Sequence, residues 1–289
     1  VGTGSSTSSR LFSIGVGGAT LENSGTGTIQ FNATGALGMA GANATRTLTF
    51  AGTSTASNSL AASIGETPGF AVSIVKSGAG TWRLANPANS FTGTVNVQGG
   101  VLEVTSLANG TANSSLGAAS VGANNLTITG GGVVRWVGST TNSSNRQFQV
   151  GGNSSGGIEA SGTGGAVLNL TSGVVFASGT NDQNTTFLFG GTGGTVAVPN
   201  TFAGILANRG TGVAGLTKTG NGVWKFTGTS TLTGVVTLNG GRLVVDALTN
   251  GNTAGLLGAS SAVASNLVFG GGTLTYGGPT ASFDRLFTL

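Results

Sequence analysis

Lys76-Ser-Gly-Ala-Gly-Thr-Trp82 returns as Lys218-Thr-Gly-Asn-Gly-Val-Trp224 in the second half of the chain. Each copy runs on through a Thr-Gly pair (Thr92-Gly93, Thr233-Gly234) to paired glycines (Gly99-Gly100, Gly240-Gly241) and a leucine, Leu102 or Leu243. Outward from this stretch the correspondence continues. Leu116-Gly-Ala-Ala-Ser120 matches Leu257-Gly-Ala-Ser-Ser261, and Asn125-Leu with Trp136 matches Asn266-Leu with Tyr276. Glu22-Asn-Ser-Gly-Thr-Gly27 matches Glu159-Ala-Ser-Gly-Thr-Gly164, and an Arg-x-Phe marker stands at Arg10, Arg146 and Arg285. The order never changes, and the offset between partners drifts by only a few positions. This is the signature of a duplicated block, with small insertions absorbed by surface loops. The expected division is the end of a preceding repeat over 1–9, one block over 10–145, a second over 146–284 and the start of a further repeat over 285–289. All four are expected to form one continuous solenoid.

Inside each block, short alternating strings recur between Gly-Gly, Asn-Gly, Ser-Gly and Thr-Gly turns. Thr-Leu-Thr-Phe (47–50), Val-Leu-Glu-Val (101–104), Leu-Thr-Ile-Thr (126–129), Thr-Val-Ala-Val (195–198), Val-Val-Thr-Leu (235–238) and Leu-Val-Val-Asp (243–246) all read as strands. The spacing suits an antiparallel sandwich or a solenoid. Paired glycines placed just before a strand point to a corner rather than a hairpin, and edge-protecting Lys and Pro are scarce. In a parallel β-helix each coil bonds to the coils above and below, so open edges occur only at the ends. The fold class expected is therefore all-β, a right-handed parallel β-helix of two tandem repeats of about 140 residues. Coils of roughly 20–25 residues would give about six coils per block and a rod roughly 60 Å long.

Composition agrees. Of 289 residues, 56 are Gly and only 6% are charged, yet 38% are hydrophobic, which is too much patterned apolar surface for disorder. The glycines keep no period of three, so collagen is excluded. No apolar run reaches the ~18 residues of a membrane helix, and no leader-like n- and h-region opens the chain. The first residue is Val1 rather than Met, which fits an excerpt of a longer array or a processed filament subunit. The net charge of +4 comes from cations scattered along the chain, without the patch that nucleic-acid binding requires.

The segment Leu216-Thr-Lys-Thr-Gly-Asn-Gly-Val-Trp-Lys-Phe-Thr-Gly228 with Leu232–Val245, and its copy from Ile74 to Val104, resembles the autotransporter-associated β-strand repeat. The resemblance rests on Lys76, Gly78, Gly80, Trp82, Gly99 and Gly100, and on Lys218, Gly220, Gly222, Trp224, Gly240 and Gly241. It covers about thirty residues per copy and implies a secreted bacterial, right-handed β-helical passenger or surface protein. The chain has no C-terminal segment that reads as a membrane β-barrel.

The chemistry expected is sparse. There is no His and no Cys, which removes Ser-His-Asp and Cys-His catalysis, thiolate metal sites and disulfides. The seven carboxylates are Glu22, Glu66, Glu103, Glu159, Asp182, Asp246 and Asp284, none within twenty residues of another. A carbohydrate-active β-helix enzyme would need two of them to converge across a groove. No phosphate loop of the Gly-x-x-x-x-Gly-Lys-Ser/Thr type is present, and Gly190-Gly-Thr-Gly-Gly194 lacks the Asp of a calcium-binding nonapeptide. Lys76 and Lys218 read as solvated turn residues whose stems cover the coil. Trp82 and Trp224 read as core or flank, with sugar stacking as the rival. Arg10, Arg146 and Arg285 read as caps for corner carbonyls. No catalytic residue, metal or cofactor is expected. The functions expected are a structural extracellular fibre whose ends stack on identical chains or continue a longer array, or an adhesin binding glycans or host surfaces. Neither nucleic acid nor membrane insertion is expected.

Overall fold

The computed structural model describes residues 2–171, 174–175, 177–178 and 183–289. Strands stack in parallel along one axis, the arrangement of a β-solenoid. The longest sheet has eleven strands, and two others have seven and six. At about 4.8 Å per strand the eleven-stranded sheet is about 50 Å long. The only helices among the described residues are two single 3₁₀ turns, Ala123–Asn125 and Ala264–Asn266.

Period-two alternation sets the inside and the outside. In Val72–Lys76 the residues Val72, Ile74 and Lys76 face inward, and in Ala214–Lys218 the same holds for Ala214, Leu216 and Lys218. Stacking then forms interior rows. Leu48, Ile74, Val95 and Leu126 succeed one another in register, as do Trp82, Leu102, Val134 and Ile158. All of these are buried. Aromatic rings fill the wider stretch around the second copy, where Phe189 packs against Phe202, Trp224 and Phe226 at centroid distances of 4.8, 5.1 and 4.9 Å.

Coil length varies more than the sequence suggests. Arg83 pairs with Glu103 across a separation of 20 residues, whereas Glu103 pairs with Arg135 across 32 residues. The long coils carry the loops 105–125 and 246–266, which the repeat preserves. The string Thr195–Val198, expected as a strand, is a turn closed by Thr195 N–H donating to Val198 O at 2.9 Å, with Val196 and Val198 exposed. Gly194 (φ +81°) and Pro199 bracket it, leaving too few residues to join a ladder.

The two copies do not sit on the same sides of the solenoid. In the first copy Val72–Lys76, Val95–Val97 and Leu126–Ile128 lie in the seven-stranded sheet, with Thr81–Leu84, Val101–Val104 and Val133–Trp136 in the eleven-stranded one. In the second copy the counterparts of the first set, Ala214–Lys218, Val236–Leu238 and Leu267–Phe269, lie in the eleven-stranded sheet. The counterparts of the second set, Val223–Phe226, Arg242–Val245 and Thr273–Tyr276, have moved to the six-stranded sheet. The repeat is thus turned by one side of a three-sided coil. Thr81–Leu84 reaches Ala214–Lys218 in five ladder steps, so one repeat advances about five and a third coils rather than six.

Candidate functional site

The repeated signature residues build the corner that follows the first strand of each copy. Lys76 and Lys218 are 0% and 1% exposed, not solvated as their charge suggests. The stem of Lys76 continues the inward row from Val72 and Ile74, and its ammonium donates to Ser77 O (2.8 Å), Gly78 O (2.8 Å) and Gly99 O (3.2 Å). Lys218 repeats this with Thr219 O (2.7 Å), Gly220 O (3.1 Å) and Gly240 O (3.1 Å). Three donors meet three carbonyls, two on the same coil and one on the next, so each lysine pins adjacent coils together. Burial pushes both lysines down from 10.5 to about 8.

Glycine is required around these carbonyls. Gly78, Gly100, Gly220 and Gly241 have φ of +71°, +60°, +64° and +57°, a region that L side chains disfavour. Gly80 and Gly222 serve close approach instead, since a Cβ there would lie 2.5 Å from Ser54 O or Gly193 O. Gly99 and Gly240 present the acceptor carbonyls to the lysines.

Trp82 and Trp224 are interior, 1% and 0% exposed, and their indoles donate to Ala51 O and Gly190 O, each at 2.9 Å. With no exposed ring face, the sugar-stacking reading fails for both. The arginine markers separate. Arg10 is exposed. Arg146 is buried and reaches back to Ala108 O (3.0 Å), Ala112 O (3.2 Å) and Gly117 O (2.7 Å), tying down the preceding long loop. Arg285 does the same to Thr249 O, Thr253 O and Gly258 O in the second long loop.

Other structural side chains escape the sequence reading. Asn58 and Asn200 hold equivalent positions in the two copies and are both fully buried. They donate to Thr81 O (2.9 Å) and Val223 O (3.0 Å), and they accept from Ile29 N–H (3.0 Å) and Leu168 N–H (2.9 Å). The repeat offset alone could have found this pair, but the residues around it have diverged. Arg46, also buried, gathers the carbonyls of Ile14, Ala40, Ala42 and Ala44. No repeat marker flags it.

On the outside of the eleven-stranded sheet, successive coils carry Arg83, Glu103, Arg135 and Glu159 in direct register. Arg83 meets Glu103 at 2.7 Å, and Arg135 meets Glu103 at 3.4 Å and Glu159 at 2.6 Å. Burial works against the charge on Arg135, but Glu159 and then Glu103 hold its guanidinium above the usual value. Two carboxylates therefore do share one face, with a guanidinium between them, and each is bonded to it. Beyond Glu159 a groove of about 360 Å³ opens, lined by Ser161, Gly191, Thr192 and Gly220 together with members of the ladder. Glu22, the counterpart of Glu159, lies in the seven-stranded sheet, one side away, and accepts from Ser24 Oγ. Glu66 accepts from Thr92 N–H (2.8 Å) and Val72 N–H (3.2 Å), Asp246 meets Lys225 at 2.6 Å, and Asp284 accepts from Gly251 N–H at 2.7 Å. Asp182 lies outside the described residues. Among the described residues no group of three or more His, Cys, Asp or Glu side chains could hold a metal ion.

Comparison with known proteins agrees with this architecture. The family model of the passenger-associated-transport-repeat matches residues 74–104 and 216–245, the two lysine–glycine–tryptophan corners with the strands that follow them. Over 217 residues, 74% of the chain is 40% identical to a protein described as "Adhesin BmaC autotransporter" from Brucella suis biovar 1 (strain 1330). The chain spans about 6% of the length of that relative. No solved structure matches the chain significantly. The chain therefore carries two passenger-associated-transport repeats and over most of its length resembles a stretch of an autotransporter protein, which marks it as an extracellular segment at the bacterial surface.

Proposed function

We propose that this segment works as a length of stiff, non-catalytic rod within a cell-surface passenger. One observation carries the reading: the distinctive side chains that recur are buried, interior positions such as Val72 to Ala214 and Leu84 to Phe226 exchange one apolar residue for another, and outward positions change in charge and polarity. Lys, Trp, both corner glycines and the loop-pinning arginine recur, and all of them bond to the backbone or fill the interior. The outward positions have changed, Arg83 to Lys225, Glu103 to Val244, Asn96 to Thr237 and Arg135 to Thr275. A duplication that keeps the scaffold and varies its surface suits a spacer whose length matters.

Further copies, or an identical chain stacked head to tail, would extend the same ladders. In support, Arg285 of the third Arg-x-Phe marker caps the loop below it as Arg146 does, so the device that follows the first block recurs after the second. Electron microscopy of chains carrying two and four repeat copies tests the proposal. The expected increment is about 25 Å per added copy, from the strand spacing. Particles whose length does not grow with copy number would overturn it.

The name of the Brucella relative supports a second reading, in which the rod itself contributes to adhesion. Its contacts would come from outward Ser, Thr and Asn side chains, because both repeat tryptophans are interior. A glycan and matrix-protein binding array on the 289-residue chain tests it, and uniform failure to bind would remove it.

A further inference from the structure

The charge ladder on the eleven-stranded sheet stops one rung short. From Arg83 through Glu103 and Arg135 to Glu159 the sign alternates at every coil, and each interior member has an opposite charge on both sides. Glu159 has one on a single side. Its Oε2 accepts from Arg135 Nε at 2.6 Å, while its Oε1 accepts no hydrogen bond from any described residue. The next coil places Gly190 opposite Glu159, where alternation calls for a cation and where there is no side chain. Directly beside this rung lies the groove of about 360 Å³, with Thr192 and Ser161 among its lining.

We propose that this vacant rung is a binding site for the guanidinium of an arginine side chain on an extended partner polypeptide. Three features select that chemistry. The site offers a carboxylate oxygen with spare lone pairs beside a groove walled by Val137, Gly191 and Gly220 with the Ser161 and Thr192 hydroxyls, which suits a flat, donor-only cation. The ladder already binds its carboxylates with guanidinium groups through Nε, so an incoming arginine reproduces an arrangement that the surface has twice. A divalent metal is a poor fit, because a single free carboxylate oxygen with neutral hydroxyls falls short of the six to eight oxygens that calcium takes. The site is particular to this junction. Glu22, the counterpart of Glu159, already accepts from Ser24 at 3.1 Å and no charge ladder leads up to it.

The site sits on an open face, so affinity is modest and salt-sensitive. The test is heteronuclear NMR of the 289-residue chain titrated with an acetylated, amidated Gly-Arg-Gly peptide, and in parallel with the neutral citrulline analogue. The proposal expects saturable shifts at Glu159, Ser161, Gly191 and Thr192 with the arginine peptide only. Glu159→Gln should weaken binding about fivefold, the equivalent of one exposed charge pair. Gly190→Arg should supply the missing rung from within and abolish binding. A Cβ at Gly190 would lie 2.6 Å from Thr219 Oγ1, 3.0 Å from Glu159 Cγ and 3.2 Å from Glu159 Oε1, so both side chains must give way, and Glu159→Gln tests the same carboxylate without that crowding. Equal shifts with citrulline, no saturable shift at these four residues, or undiminished binding by Gly190→Arg would each overturn the proposal. The rod reading stands or falls separately, on particle length.

Discussion

Raising the pH from 8 towards 10.5 should stabilise this protein, and Lys76→Met with Lys218→Met should abolish the gain. Both lysines are depressed from 10.5 to about 8 by burial. Below pH 8 the folded and unfolded chains both carry the protons, and the folded state bears the full cost of two interior charges. Between 8 and 10.5 the folded chain releases them while the unfolded chain keeps them, so stability climbs with pH. The displacement is worth at most about 3 kcal/mol per lysine. The three carbonyls around each ammonium limit the gain, because a neutral amine has only two N–H groups to offer them. In the Met variants the pH slope disappears. At pH 7 their stability should stay within about 2 kcal/mol of wild type, since relief of the buried charge offsets the carbonyls left without a donor. Urea unfolding of both proteins, followed by tryptophan fluorescence at several pH values, gives the comparison. Equal slopes in wild type and variant, or a wild type that loses stability over this range while the variant does not, would refute the reasoning.

Two further outcomes follow from the corners and the loops. Gly78→Ala should destabilise by about 2 kcal/mol or more, since φ is +71° and the new Cβ would lie 2.5 Å from Gly52 O. Gly65→Ala, whose nearest neighbour would be Ser90 Oγ at 3.5 Å, should cost far less, and thermal unfolding of the two variants measures the gap. Arg146→Ala removes three bonds to the loop that contains Ala108, Ala112 and Gly117. Limited proteolysis should then cut within 106–122 well before the rest of the chain, whereas cleavage as slow as in wild type would show that the loop holds without its pin.

The duplication, the strands and the solenoid were legible because a repeat retains whatever its stacking demands. The lysine corner was half legible. Lys76 and Lys218 recur in step with Val72–Ile74 and Ala214–Leu216, so their alternation already placed them on the inner row. Charge suggested the opposite, and three converging carbonyls are what let the alternation prevail. The Asn58 and Asn200 corners lay at the repeat offset but among unlike neighbours. The charge ladder was not legible at all. The steps from Arg83 to Glu103, Arg135 and Glu159 are unequal in sequence, and they depend on loop lengths that no local pattern fixes. Thr195–Val198 alternates like a strand, but Gly194 and Pro199 leave it only the length of a turn.

The turn of one side per repeat has a consequence for what a flat partner meets. A partner lying along one flank passes different segments of the repeat in succession, and the same segment returns to that flank only after three copies, roughly 420 residues and about 77 Å. Duplication alone therefore gives each flank a new face without a single mutation.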